Sequence, residues 1–190
     1  MLLRFTTNDL SHTTLRGEDG ADIYTIQTPF THLFRPNPTI LSRVGPSREP
    51  PLEAIATLKW CSISPDMLVR PNYSDIPVDQ YVPKKGWPST SRIFRTSQGN
   101  WKWSTNSGNI ELYDSSSPRR LLASLSREGQ YFFLNIEDSA LKHLEDIIIG
   151  FIISQRDLML RRQRNNTRGS ITFISTLDNT IHHQMINTTM

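Results

Sequence analysis

The stretch Leu141-Lys-His-Leu-Glu-Asp-Ile-Ile-Ile-Gly-Phe-Ile-Ile153, continuing to Leu158-Met-Leu160, decides the fold. From Ile147 to Ile153 no residue is polar, so no face of a helix built there is free to meet water. Such a helix is enclosed by a membrane or by protein. The run is far shorter than the roughly 20 residues that span a bilayer. It therefore reads as a helix threaded through other structure. The expected helix covers about 139–164, capped by Asp138 or Ser139 and closed by Arg161-Arg-Gln-Arg164, cations that complement the macrodipole. Burying its large side chains at about 1.5–3 kcal/mol each exceeds the net stability of a domain, so exposing it would unfold the protein.

Working outward, the preceding chain reads as short strands between turns. Residues 2–5 open a first strand, and Gly17-Glu-Asp-Gly20 turns into Ile23–Ile26. Thr39–Val44, Ala54–Ser62 and Met67–Val69 follow, then an extended piece over Val78–Val82. In Ala54–Ser62, alternation places Ala54, Ala56, Leu58 and Trp60 on one face and Ile55, Thr57, Lys59 and Cys61 on the other. Arg92–Thr96 and Trp101–Ser104 form a hairpin, and Ile110–Tyr113, Leu121–Ser126 and Tyr131–Ile136 continue it. Turns every 8–12 or so residues mean a sandwich or barrel of sequential hairpins. The single domain is expected over 1–168. Residues 169–190 form an extension with one short strand at Ser170–Ser175 and a loose polar remainder.

Composition narrows the class. With 190 residues, 36% hydrophobic and 21% charged, the chain suits one soluble domain with a real core. A formal net charge of +3 is too mild to imply nucleic acid by itself. The one cysteine, Cys61, excludes an internal disulfide framework and fits a reducing compartment. The N-terminus has no apolar run of signal-peptide length, and no segment reads as transmembrane. A cytoplasmic protein is expected, with nuclear entry left open, and the sequons at Asn72, Asn165 and Asn187 read as chance.

An ordered set of motifs carries a resemblance. Trp60, Ser64-Pro65, Asp79-Gln-Tyr-Val-Pro-Lys-Lys-Gly-Trp87, Arg92-Ile-Phe94, Trp101-Lys-Trp103, Glu111-Leu-Tyr-Asp114 and the apolar helix closed by arginines follow one another. Over roughly Asp22 to Arg164 the chain resembles a family of small fungal proteins known only as a domain of unknown function. That resemblance implies a tubby-like fold, shared with LURP-one-related and scramblase-type proteins: a closed or nearly closed antiparallel β-barrel of about 12 strands around one central C-terminal helix. Tubby proteins bind phosphoinositide head groups. No residue here matches that site position by position, so the ligand comes across by fold analogy alone. The family brings no catalytic residue.

The most suggestive surface feature is Gln80–Ile110, which holds Lys84, Lys85, Arg92, Arg95 and Lys102 without an Asp or Glu. Tyr81, Trp87, Phe94, Trp101 and Trp103 are interleaved. Cations attract phosphate, and aromatics stack on bases or sit at a membrane interface. The competing reading has the aromatics filling the barrel while the cations solvate its outside. Pro83-Lys-Lys-Gly86 is the first place to look, because it holds two ammonium groups beside exposed backbone. Arg161, Arg162, Arg164 and Arg168 read as a solvated helix end, with anionic lipid as the alternative.

Other constellations are thinner. Cys61 beside Trp60 reads as a small buried residue rather than a nucleophile, and His182-His183 lacks structural-zinc spacing. Asp75, Asp79, Glu111 and Asp114 read as turn residues rather than paired acid and base. There is no G-x-S-x-G, P-loop or G-x-G-x-x-G. The expectation is a non-catalytic binding module without cofactor or metal, directed at anionic lipid head groups or a membrane surface. A protein-interaction scaffold is the alternative, and nucleic-acid binding or an enzyme ranks below both.

Overall fold

The structure is a computed structural model that describes residues 1–29, 37–45, 52–86, 91–105, 109–116 and 118–186, with side chains described to residue 165. Trp87 lies outside the described residues. The chain divides into two compact units, Met1–Ser154 and Gln155–Met190.

The first unit is built on a single twelve-stranded antiparallel sheet. Its strands are β1 Leu2–Phe5, β2 Thr13–Arg16, β3 Asp22–Gln27, β4 Thr39–Arg43, β5 Glu53–Lys59, β6 Met67–Val69, β7 Ile76–Pro77, β8 Arg92–Thr96, β9 Gly99–Ser104, β10 Glu111–Asp114, β11 Leu121–Glu128 and β12 Tyr131–Ile136. The spatial order is β7-β6-β5-β4-β3-β2-β1-β12-β11-β10-β9-β8. All neighbours are sequential except β1 and β12, which pair in the middle as Leu2↔Asn135 and Leu3↔Leu134. β2 and β7 were not foreseen. Thr13–Arg16 is polar at every second position, and β7 is only two residues long.

Ladder hydrogen bonds do not close the sheet, and β7 and β8 are its two ends. Segment 78–86 runs from one to the other. Its first part, expected to be extended, is a helical turn, α1, at Val78–Tyr81. Val78 and Val82 stand four residues apart, on one side of a turn, and both are buried. Burying that pair outweighs the valines' preference for strand. The Val78 amide donates to the Asp66 carbonyl at 2.8 Å on one side. On the other, Lys85 donates to the Ser91 carbonyl and Ile93 to the Pro83 carbonyl, at 2.9 and 2.8 Å.

The expected faces of β5 are changed by a bulge. The register against β4 shifts between Leu41 and Ser42, so Ala56 and Ala54 are paired while Ile55 is the extra residue. Ile55 and Ala56 are both buried and Ala54 is exposed.

After β12, a 3-10 segment at Asp138–His143 leads into helix α2, Leu144–Ile186. Glu137 stands at the cap position without a side-chain cap bond, in place of the expected Asp138 or Ser139. Every residue from Ile147 to Ser154 is buried, so this part of the helix has no wet side. Strands from both halves of the sheet touch it. Phe5 of β1 meets Phe151 with ring centroids 5.5 Å apart. Trp103 of β9 lies so close to Gly150 that an added Cβ would collide with the indole nitrogen and sit 3.1 Å from two ring carbons. Polar residues fix the start of the helix. Asp146 accepts from Tyr81 Oη at 2.6 Å and pairs with Arg70 at 2.9 Å, while Glu145 pairs with Arg43. His143 packs edge-on against Trp101 at 5.0 Å and Phe94 at 6.2 Å.

In the second unit the backbone stays helical past Arg164 and through Ser170–Ser175, where a strand was expected, as far as Ile186. Between Leu144 and Ile186 there is no proline, and the one glycine after Gly150, Gly169, weakens a helix without ending it. Arg162 and Arg164 are exposed on this helix.

Candidate anion-binding surface

The alternation of β8 and β9 divides the cations foreseen in the sequence. Phe94, Trp101 and Trp103 are buried, and the register Arg92↔Trp103, Phe94↔Trp101 puts Arg92 on their side of the sheet. Arg92 is buried accordingly. Its Nη1 donates to Asp79 Oδ1 at 2.7 Å and to the Val82 carbonyl at 2.9 Å. Lys84, opposite Arg92, also approaches Asp79, at 3.9 Å. These two cations share the carboxylate of α1 and hold segment 78–86 against β8. Asp79 lies one residue before the stretch that was noted for having no acid.

The other three belong to the opposite face. Lys102 is paired with Ile93 on β8 and with Tyr113 on β10. Arg95 shares a face with Ile93, because two residues along a strand return to one side. Its partner is Asn100, which makes Lys102 its diagonal neighbour. Lys85 is exposed beside β8. A further cation, Arg119, lies with its guanidinium carbon 3.4 Å from the centre of the Tyr113 ring. Partial burial, then the charges of Lys85 and Arg119, hold the Lys102 ammonium below the ordinary lysine range. Strand pairing sets Lys102 beside Tyr113 and Arg119 rests on that ring, so these two cations are neighbours. None of Lys85, Lys102, Arg119 and Arg95 forms an ion pair among the described residues.

One acid shares the face. Glu111 accepts from Tyr113 Oη at 2.7 Å, and this bond, with burial, raises the phenol above its usual range while Arg119 opposes the shift. Glu111 thus fixes the ring on which Arg119 rests. The surface consists of Lys102 and Arg119 around an anchored tyrosine, with Arg95 diagonal to Lys102, and it suits a ligand with several anionic oxygens. Arg119 was missed because it follows Pro118 in a turn outside Gln80–Ile110. Its sequence signal is the register of two hairpins, which brings Tyr113 beside Lys102.

Other side chains that were weighed in the sequence have separate partners. Asp75 pairs with Lys59 at 3.3 Å, Asp79 with Arg92, Glu111 with Tyr113, and Asp114 accepts from the Ser116 amide at 2.9 Å. The four carboxylates do not converge. Cys61 is half-exposed and its Sγ lies 3.9 Å from the Lys59 carbonyl oxygen. Among the described residues no group of His, Cys, Asp and Glu could hold a metal ion. No helix there is long and apolar enough to cross a membrane.

A twelve-stranded antiparallel sheet with one C-terminal helix and a basic outer surface on β8–β10 defines the class of protein. The chain belongs to the family described as "Family of unknown function (DUF6593)", which matches residues 8–159. No curated protein and no solved structure matches it.

Proposed function

We propose that this protein is a non-catalytic binding module for anionic lipid head groups at a cytoplasmic membrane surface, and that its sheet is a tubby-like barrel of the kind found in fungal relatives. The barrel reading draws support from the burial of every residue from Ile147 to Ser154 and from the bridging of β7 and β8 by segment 78–86. The binding reading is carried by one observation: Lys102 is paired with Tyr113, Arg119 rests on the ring of that tyrosine, and neither cation has an acidic partner among the described residues. Arg95 extends the patch, and Lys84 and Arg92 serve the structure behind it.

Each cation near an anionic bilayer contributes about 1 kcal/mol. Three or four such charges give about 3–4 kcal/mol, or roughly 10²–10³ in affinity. The test is co-sedimentation of the full chain with phosphatidylcholine vesicles, with and without phosphoinositide, at low and physiological salt. Recovery should require the phosphoinositide, fall with salt and drop in Lys102→Gln and Arg119→Gln. Equal recovery on both vesicle types would overturn the reading. Stoichiometric capture of a protein without lipid would favour the scaffold alternative.

A further inference from the structure

A bulge between β10 and β11 carries the basic surface toward an open groove. Leu112 is paired with Ala123, but its neighbour Tyr113 is paired with Leu121, which leaves Leu122 as the extra residue. Leu122 and Ala123 are both buried, whereas Leu121, opposite Tyr113, is 45% exposed. Tyr113 also faces Lys102 on β9. Lys102, Tyr113 and Leu121 therefore form one row across three strands, on the face away from buried Leu112. Arg119, two residues before Leu121, rests on the Tyr113 ring. On its other side Leu121 borders a groove of about 410 Å³. Ser124, Asn135 and Leu2 cross this groove in a row that begins at Glu111, two residues from Tyr113 and on the same face. Six of the ten residues that line it are apolar, so a hydrocarbon fits it better than a polar group. Its two carboxylates have partners: Glu137 pairs with Arg120, and Glu18 accepts from the Leu2 amide at 2.9 Å. Neither attracts an anion, so the anionic end of a ligand belongs with Lys102 and Arg119.

We propose that this groove is a site for an apolar chain: the ligand is an amphiphile whose phosphorylated head sits on Lys102 and Arg119 and whose chain passes over Leu121 toward Leu2. This proposal rests on the head-group reading of the same surface and adds a place for the rest of the lipid. Leu121, set outward by the bulge, covers the methylenes nearest the head. A fully buried methylene is worth about fourfold in affinity. The groove is open and covers a chain only in part. The equivalent of two buried methylenes should raise affinity about fifteenfold over the chainless head. This gain comes from apolar area, so salt should leave it in place while weakening the hold on the head.

The experiment is titration of the full chain with two soluble probes, glycerophosphoinositol bisphosphate and its short-chain monoacyl derivative, the latter kept below its micelle concentration. The acylated probe should bind about fifteenfold more tightly, at low and at physiological salt. Leu121→Ser should bind the chainless probe as the parent does and lose most of the gain. Ser124→Trp, which fills the groove from β11, should do the same. Lys102→Gln should weaken both probes by the same factor. Equal affinity of the two probes for the parent would overturn the chain site and leave the head-group reading standing. A gain that persists in full in Leu121→Ser and Ser124→Trp would put the chain elsewhere and overturn the proposal as well. Binding of neither probe would overturn both readings.

Discussion

The two faces of β8–β10 are written in the same few residues and have opposite characters. One face, Arg92, Phe94, Trp101, Trp103 and Leu112, is buried and offers its one charge a fixed carboxylate. The other, Arg95, Lys102 and Tyr113 with Arg119 beside it, is more open, and its cations form no ion pair among the described residues, its acid Glu111 being bonded to Tyr113. The difference shows that an arginine's role here follows strand parity. Arg92 and Arg95 are three residues apart and point to opposite sides.

The comparison is broken most severely from the inside. Ile149→Ala removes a fully buried side chain on a helix with no wet face, and should cost about 2–5 kcal/mol by chemical denaturation. A loss under about 0.5 kcal/mol, as for a surface site, would mean that the helix is not enclosed. Gly150→Ala should cost about 1–3 kcal/mol, because the methyl group meets the Trp103 ring. Pairing it with a smaller residue at 103 should restore part of the loss. Asp79→Asn should cost about 1–3 kcal/mol, since Arg92 stays buried with a weaker partner. On the outside, Lys102→Gln should change stability by less than about 0.5 kcal/mol. Its affinity for anionic vesicles should nevertheless fall about fivefold at low salt.

The smallest effect sharpens the contrast further. Lys102's ammonium titrates below the ordinary lysine value in the folded chain. Between those two pKa values the unfolded chain binds more protons, so this group's contribution to stability rises with pH through that window and falls as pH drops through it. Bound anion favours the charged ammonium, so an NMR titration of labelled lysine should move upward when inositol trisphosphate is added. A downward or absent shift with ligand demonstrably bound would remove Lys102 from the surface.

Much of the interior was legible because burial writes a pattern. The polar-free run Ile147–Ile153 announced an enclosed helix, and Met67–Val69 and Tyr131–Ile136 fall where alternation and turns put them. Val78–Val82 misled because valine and tyrosine favour strands. The i, i+4 valines that the fold buries were in view but stood for only one turn. The surface was half legible. Charge without acids was visible, yet grouping Arg92 with Arg95 ignored the parity it shares with Phe94. Arg119 became a neighbour only through pairing of β9 with β10, which is not a local property of the chain.

The pairing of the first strand with the last has a consequence for biosynthesis. Of the twelve strands β1 is made first, with β2 soon available on one flank, but its other flank waits for β12, the last of the twelve. Until Leu2 finds Asn135, the nascent chain holds two separate meanders, each with a raw margin that another polypeptide could occupy. A single late stitch joins them, and the apolar helix follows β12 in the chain. The costliest moment for a chaperone to miss is therefore the interval between the synthesis of β12 and its pairing with β1, when both margins are uncovered together.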